Sequence, residues 1–120
     1  MTDAYDSYDG NNDRTEDFYG YRWTSPVEVA RLVFTAGKVY PNGGWFETLQ
    51  VQVLDDQKKW VPAEQVRIAP DIATPEYRRN GETRFGITFK PVTTTGIRIV
   101  GKPGGSARFT SVAELEVYAK

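Results

Sequence analysis

Leu49, Val51 and Val53 alternate with Gln50 and Gln52, and Ala113, Leu115 and Val117 alternate with Glu114 and Glu116. A period of two puts successive side chains on opposite faces, so both stretches predict strands with one buried and one wet face. Residues 27–34 (VEVARLVF) are rich in β-branched and aromatic side chains, and residues 18–23 form a short aromatic run before Pro26. Together with residues 60–68, 84–89, 96–100 and 110–118, the pattern predicts seven strands. No stretch sustains the apolar spacing of a helix, so helix content is expected to be low. Short strands with Gly- and Pro-rich connections point to an all-β sandwich or barrel.

The connections alternate in length. Residues 24–26, 55–58 and 91–95 are short, whereas 36–45, 69–83 and 101–109 are long and decorated. An antiparallel sandwich reverses the chain at each connection, so the three long ones should gather at one pole. The segment before the first strand belongs at the same pole. Binding residues tend to sit on loops held by a rigid scaffold, which makes this pole the place to look for a site.

Composition narrows what such a pole can do. Cysteine and histidine are both absent. That removes disulfides, thiolate zinc sites, Ser-His and Cys-His catalysis and the usual general base at neutral pH. The chain's 120 residues and 39% hydrophobic content suit one domain with one core. No apolar run approaches the roughly 20 residues of a membrane-spanning helix. The opening Met1-Thr2-Asp3-Ala4-Tyr5 lacks the basic and apolar regions of an export signal, so the chain reads as one module of a longer protein. The net charge of −1 hides an asymmetry: residues 1–17 carry six acids and one base, the remainder 14 bases and 10 acids. Residues 1–17 are therefore expected to be an acidic, mobile N-terminal segment unless a ligand or ion ties them down, with 18–120 as the single sandwich module. The basic residues of the module are scattered and not striped, which argues against nucleic acid as a partner.

In the first long loop, Asn42-Gly43-Gly44 supplies the positive φ of a tight reversal, and Tyr40 and Trp45 flank it. Two roles are open to these rings: a platform for the C–H face of a sugar, or a cap on the core, the commoner use. Trp45 and Phe46 are adjacent, so one of them faces outward if a strand begins there. The second loop offers Tyr77 and Arg78, and the third offers Arg108 beside Phe109, expected to plug the space under the loops. A guanidinium donates paired hydrogen bonds suited to hydroxyls and carboxylates. The alternative is a solvated loop whose arginines balance nearby acids. Ligand-binding candidates are thus Tyr40, Asn42, Trp45, Tyr77, Arg78 and Arg108; no catalytic residue is assigned. Trp23 is expected in the core, and Trp60 in the core or on the sheet surface. Glu114 and Glu116 share a strand face about 7 Å apart. A glycosidase pair could use that spacing, but a polar sheet face outside any shaped cleft is expected. Asp9-Gly10-Asn11-Asn12-Asp13 imitates the start of a calcium loop, yet Arg14 and Gly20 stand where an EF-hand needs Gly and Glu. A looser calcium site and a solvated acidic tail both stay open.

Several stretches carry a resemblance. These are residues 18–36 (FYGYRWTSPVEVARLVFTA), Gly43-Gly44-Trp45-Phe46-Glu47-Thr48-Leu49-Gln50-Val51, Lys59-Trp60-Val61-Pro62, Gly96-Ile97-Arg98-Ile99 and the closing Phe109-Thr110-Ser111-Val112-Ala113-Glu114-Leu115-Glu116-Val117-Tyr118. The chain resembles the coagulation-factor type C (discoidin) superfamily, and within it the family 32 carbohydrate-binding modules of bacterial glycoside hydrolases. SVAELEVY and the GIRIVG before it are the most specific parts. The resemblance implies an eight-stranded jelly-roll sandwich of the galactose-binding-like kind, without catalysis, in a secreted or cell-surface parent protein. It also implies a structural calcium held by an N-terminal loop, for which Asp9 is the candidate, with the Ala113 carbonyl and the Glu114 carboxylate. The expected function is a non-catalytic carbohydrate-binding module that targets a larger protein to glycans. The alternative is a structural or protein–protein interaction domain of a surface protein without a small-molecule site. A membrane-surface module exposing Trp45 is a third reading.

Overall fold

The computed structural model describes residues 16–119 and the backbone of Tyr5–Asp6. Its longest strand, β2 (Asp17–Ala36), contains 20 residues, enough to reach about 66 Å when straight. The molecule measures only 39 Å along its longest axis, so β2 must bend. The bend shows in its pairing with β6 (Arg84–Gly101): Arg22 faces Gly96 and Val27 faces Thr94. Trp23, Thr24, Ser25 and Pro26 therefore take the outside of a corner whose inside is Thr95 alone. Proline is tolerated there because this stretch makes no ladder pairing that needs its missing N–H. Thr94 pins the inside of the corner: its hydroxyl donates to the Leu54 carbonyl at 2.8 Å and accepts from the Gly96 N–H at 3.2 Å.

The strands expected at 18–23 and 27–34 are thus two arms of β2, and those at 84–89 and 96–100 are two arms of β6. One layer contains the first arm of β2, the second arm of β6, β3 (Gln50–Leu54) and β4 (Trp60–Pro62). The other contains the second arm of β2, the first arm of β6, β5 (Arg67–Ala69), β7 (Ser111–Tyr118) and, beside β7, β1 (Tyr5–Asp6). Val51, Val53, Ile97 and Ile99 from the first layer meet Leu32, Phe34, Phe85, Ile87 and Leu115 from the second in one buried cluster. The all-β sandwich expected from the alternating pattern is the fold observed.

Two local differences have clear causes. The strand expected at 60–68 splits into β4 and β5, which pair in different layers, and the chain turns between them with Gln65 at φ 57°. The second long loop contains α1 (Pro75–Asn80). Pro75 starts it, Glu76 sits in the first turn, Arg78 and Arg79 in the last, and Gly81 closes it at φ 68°. Those are sound end signals, but six residues are too few to show a helical period.

The long loops do meet. Ala36 donates to Thr83 (2.8 Å) and Glu82 to Gly37 (3.0 Å), which joins the first two. Gly44 donates to Phe109 (2.9 Å), Gly104 to Trp45 (2.8 Å) and Ala107 to Asn42 (2.9 Å), which joins the first and third. A bent strand reverses the chain as two separate strands would, so the expected gathering holds. The opposite pole has the corners of β2 and β6 and the β3–β4 turn, where Lys58 Nζ donates to Thr95 Oγ1 at 2.8 Å. Most of the acidic segment lies outside the described residues. Asp17, however, is buried in the sandwich, and its Oδ2 accepts from the Thr110 hydroxyl at 2.8 Å. No described helix is long and apolar enough to cross a membrane.

Candidate functional site

Adjacent rings in the first loop take opposite roles. Phe46 is fully buried, edge-on to Phe34 and Tyr19 at 5.8 and 6.2 Å. Trp45 is only half-buried, with its indole laid on the backbone of Gly104. A Cβ at Gly104 would stand 2.0 Å from Trp45 Nε1, so glycine is what lets the third loop support this ring. The indole N–H donates to Glu47 Oε1 at 3.1 Å, and Glu47 Oε2 lies 3.5 Å from Arg78 Nη2. Arg78 Nε is buried and has no hydrogen-bond partner among the described residues. Indole, carboxylate and guanidinium thus form a connected row across the first loop and α1. Such a row presents a ring and fixed polar groups together, which suits a hydroxyl-rich ligand.

Glu47 is the member of this row that sequence reasoning missed. An acid two residues after a tryptophan is a weak signal, and its cation comes from a different element 31 positions away in the chain.

Tyr40 is 45% exposed, tilted against Phe109 at 6.1 Å, and closes the reversal through mutual backbone bonds with Gly43. Phe109 is buried under the loops, as expected, and leaves no room for a side chain at Gly43. Asn42 is exposed at the tip, and its carbonyl accepts from Ala107. Arg108 is exposed and holds φ 51°, in the left-handed region that L residues avoid at a cost of about 1 kcal/mol. Tyr77 needs correction as a ligand-contact candidate. It is fully buried against Phe85 (5.0 Å) and Phe34 (6.5 Å), and its hydroxyl accepts the Phe46 N–H at 2.8 Å. Burial pushes its pKa far above the ordinary tyrosine value. The turn of α1 points this ring inward, so Arg78, one residue on, is the one at the surface.

Trp23 is half-buried against the core, and Trp60 is half-buried on the outer side of its layer. Glu116 accepts from the Tyr118 hydroxyl and lies 3.8 Å from Arg84 Nη2. Glu114 is exposed beside it. The two border a shallow, open depression of about 470 Å³ with Tyr21, Trp23 and Tyr118, in keeping with a polar face outside any shaped cleft. For calcium, Ala113 is half-buried and Glu114 exposed, on the strand that β1 joins. Asp9 lies outside the described residues. Among the described residues no three Asp or Glu side chains converge. Ala113 and Glu114 alone therefore fall short of the six to eight oxygens calcium takes.

No family model matches the chain, and no curated protein sequence matches it. Solved structures do. The bent two-layer sandwich with its loops at one pole is a fold shared with carbohydrate-binding modules. More particularly, it is the fold of the family 32 modules. A structure from the β-galactosidase BgaA of Streptococcus pneumoniae superimposes with a TM-score of 0.77 at 15% identity, covering 99% of this chain and 76% of that one. CBM32-3 of a family 31 glycoside hydrolase from Clostridium perfringens gives 0.70 at 16% identity, covering 98% and 75%. CpGH89CBM32-5 from Clostridium perfringens, in complex with GalNAc-β-1,3-galactose, gives 0.53 at 17% identity, covering 78% and 59%. At these identities the likeness is one of fold.

Proposed function

We propose that this chain is a non-catalytic carbohydrate-binding module that directs a larger secreted or surface protein to glycans. The observation that carries the proposal is the Trp45–Glu47–Arg78 row at the pole of a family 32 sandwich. Tyr40, Asn42 and Arg108, on the same two joined loops, are proposed as further contacts. One structural neighbour is in complex with GalNAc-β-1,3-galactose, which makes galactose-type glycans the first ligands to try. A flat site of one ring and a few hydrogen bonds binds weakly, on the order of mM to tens of μM, and gains from avidity in a multidomain protein. The absence of histidine and cysteine supports the non-catalytic role. Calcium remains part of the proposal, with Ala113 and Glu114 as two of its ligands.

The test is glycan-array binding followed by titration of Trp45→Ala. Losing the ring should weaken binding about five- to tenfold, through lost aromatic contact and apolar burial. Because Trp45 is only half-buried, its melting temperature should fall by a few degrees at most. Absence of glycan binding by the wild-type chain would sink the proposal. So would a Trp45→Ala variant that binds normally, and a variant that largely unfolds would identify Trp45 as a core cap.

A further inference from the structure

The outer side of the first layer carries a cluster that the loop pole does not use. Phe18, Gly20 and Arg22 of β2 lie in register with Val100, Arg98 and Gly96 of β6, and Gln52 pairs with Arg98 on the other side. The Arg98 guanidinium lies between two rings, 4.9 Å from the Phe18 centroid and 4.4 Å from that of Trp60. Arg22 stands over the same indole at 5.5 Å. Arg98 Nε donates to Gln52 Oε1 at 2.8 Å, which orients its fork. Gly20 makes room for this arrangement, since a Cβ there would lie 2.6 Å from Arg98 Cβ.

These side chains, with Tyr21 at the rim, line a depression of about 310 Å³. Phe18 is 60% exposed, and an exposed apolar ring in such a depression commonly marks an interaction site. Among the described residues neither guanidinium pairs with a carboxylate. Partial burial pulls Arg98 below the ordinary arginine value; Glu16 opposes this and the Arg22 charge adds to it. Two positive forks held beside an exposed ring match a ligand that is both anionic and flat-faced.

We propose that this sheet face is a second binding surface, for an acidic carbohydrate. Its carboxylate or sulfate sits between Arg22 and Arg98, and a sugar ring packs on the exposed Phe18. Guanidiniums bond either anion through paired N–H groups, and aromatic faces take the C–H side of the ring. Two cations in one depression suit a single acidic group better than the repeated phosphates of a nucleic acid. The surface does not depend on the loop-pole site: it is built from strands, and the two stand or fall separately.

The experiment is a tryptophan-fluorescence titration of the whole chain with four probes: a heparin-derived oligosaccharide, an oligogalacturonate, a neutral galacto-oligosaccharide and an oligodeoxythymidylate. The expected result is saturable binding of an acidic sugar, weakened by salt and reduced about fivefold or more by Arg22→Gln and by Arg98→Gln. Arg22→Gln is the more informative variant, because Arg22 is exposed and its loss should leave the melting temperature unchanged. Response to oligogalacturonate alone assigns the site to carboxylates, response to the heparin fragment alone to sulfates, and response to both to their shared anion chemistry. The proposal is overturned if neither acidic sugar saturates or if Arg22→Gln and Arg98→Gln both bind like wild type. It is equally overturned if the oligodeoxythymidylate binds as tightly as the acidic sugars, or if the neutral sugar does so in a Trp45→Ala background, where the loop-pole site is weakened.

Discussion

Among the described residues, the Tyr77 hydroxyl is the acceptor for the Phe46 N–H, and both residues are fully buried. Tyr77→Phe keeps the ring contacts but strands that donor, so it should cost about 1–3 kcal/mol at pH 7 in urea unfolding. The cost should depend on pH. Burial raises the folded pKa of Tyr77 above its unfolded value near 10, so its stabilisation is complete below about pH 10 and is lost as pH rises beyond that. Wild type should therefore lose stability above pH 10 faster than Tyr77→Phe does, and the gap between them should narrow. A constant gap from pH 7 to 11 would show that Tyr77 does not titrate in this way. The same residue shows a limit of sequence reasoning. Tyr77 and Arg78 are neighbours in one loop, and only the turn of α1 decides which of them faces solvent.

At the scale of elements, the corner shared by β2 and β6 holds the two layers in one ribbon. Thr94 is buried there and serves both the Leu54 carbonyl and the Gly96 N–H. Thr94→Val keeps the shape and removes both bonds, so it should cost about 1–3 kcal/mol while leaving the proposed glycan binding at the far pole intact. A variant as stable as wild type would show that the corner is set by backbone pairing alone. The strands at 49–53 and 113–117 are legible because alternation records one wet and one dry face. The joining of 18–23 to 27–34 is not legible, since Thr24-Ser25-Pro26 reads equally as a loop or as the outside of a bend.

At the scale of the whole molecule, contacts join the beginning and end of the chain. The Tyr19 hydroxyl meets Thr110 Oγ1 at 2.9 Å, Asp17 bonds Thr110, and the Tyr21 hydroxyl donates to the Leu115 carbonyl. The start of β7 is therefore a junction where β1, the opening of β2 and the third loop come together. A calcium bound through Ala113 and Glu114 would brace this junction. EDTA should then lower the melting temperature of the wild-type chain, and Glu114→Ala should abolish that response. Identical melts with and without chelator would retire the metal.

The sequence by itself determined the class of fold and the location of the loops. Both follow from local facts: a period of two, the punctuation of Gly and Pro, and the reversal of direction at each connection. Only the tertiary structure decided which rings and charges share a surface. Trp45 lies half-open because Gly104 passes beneath it, and Glu47 reaches Arg78 across two elements. Phe18, Trp60 and Arg98 gather on one face because four strands, β2, β6, β3 and β4, set them in register. Each of these depends on neighbours tens of residues away, and a side chain's exposure is a property of that packing and not of its position in the chain.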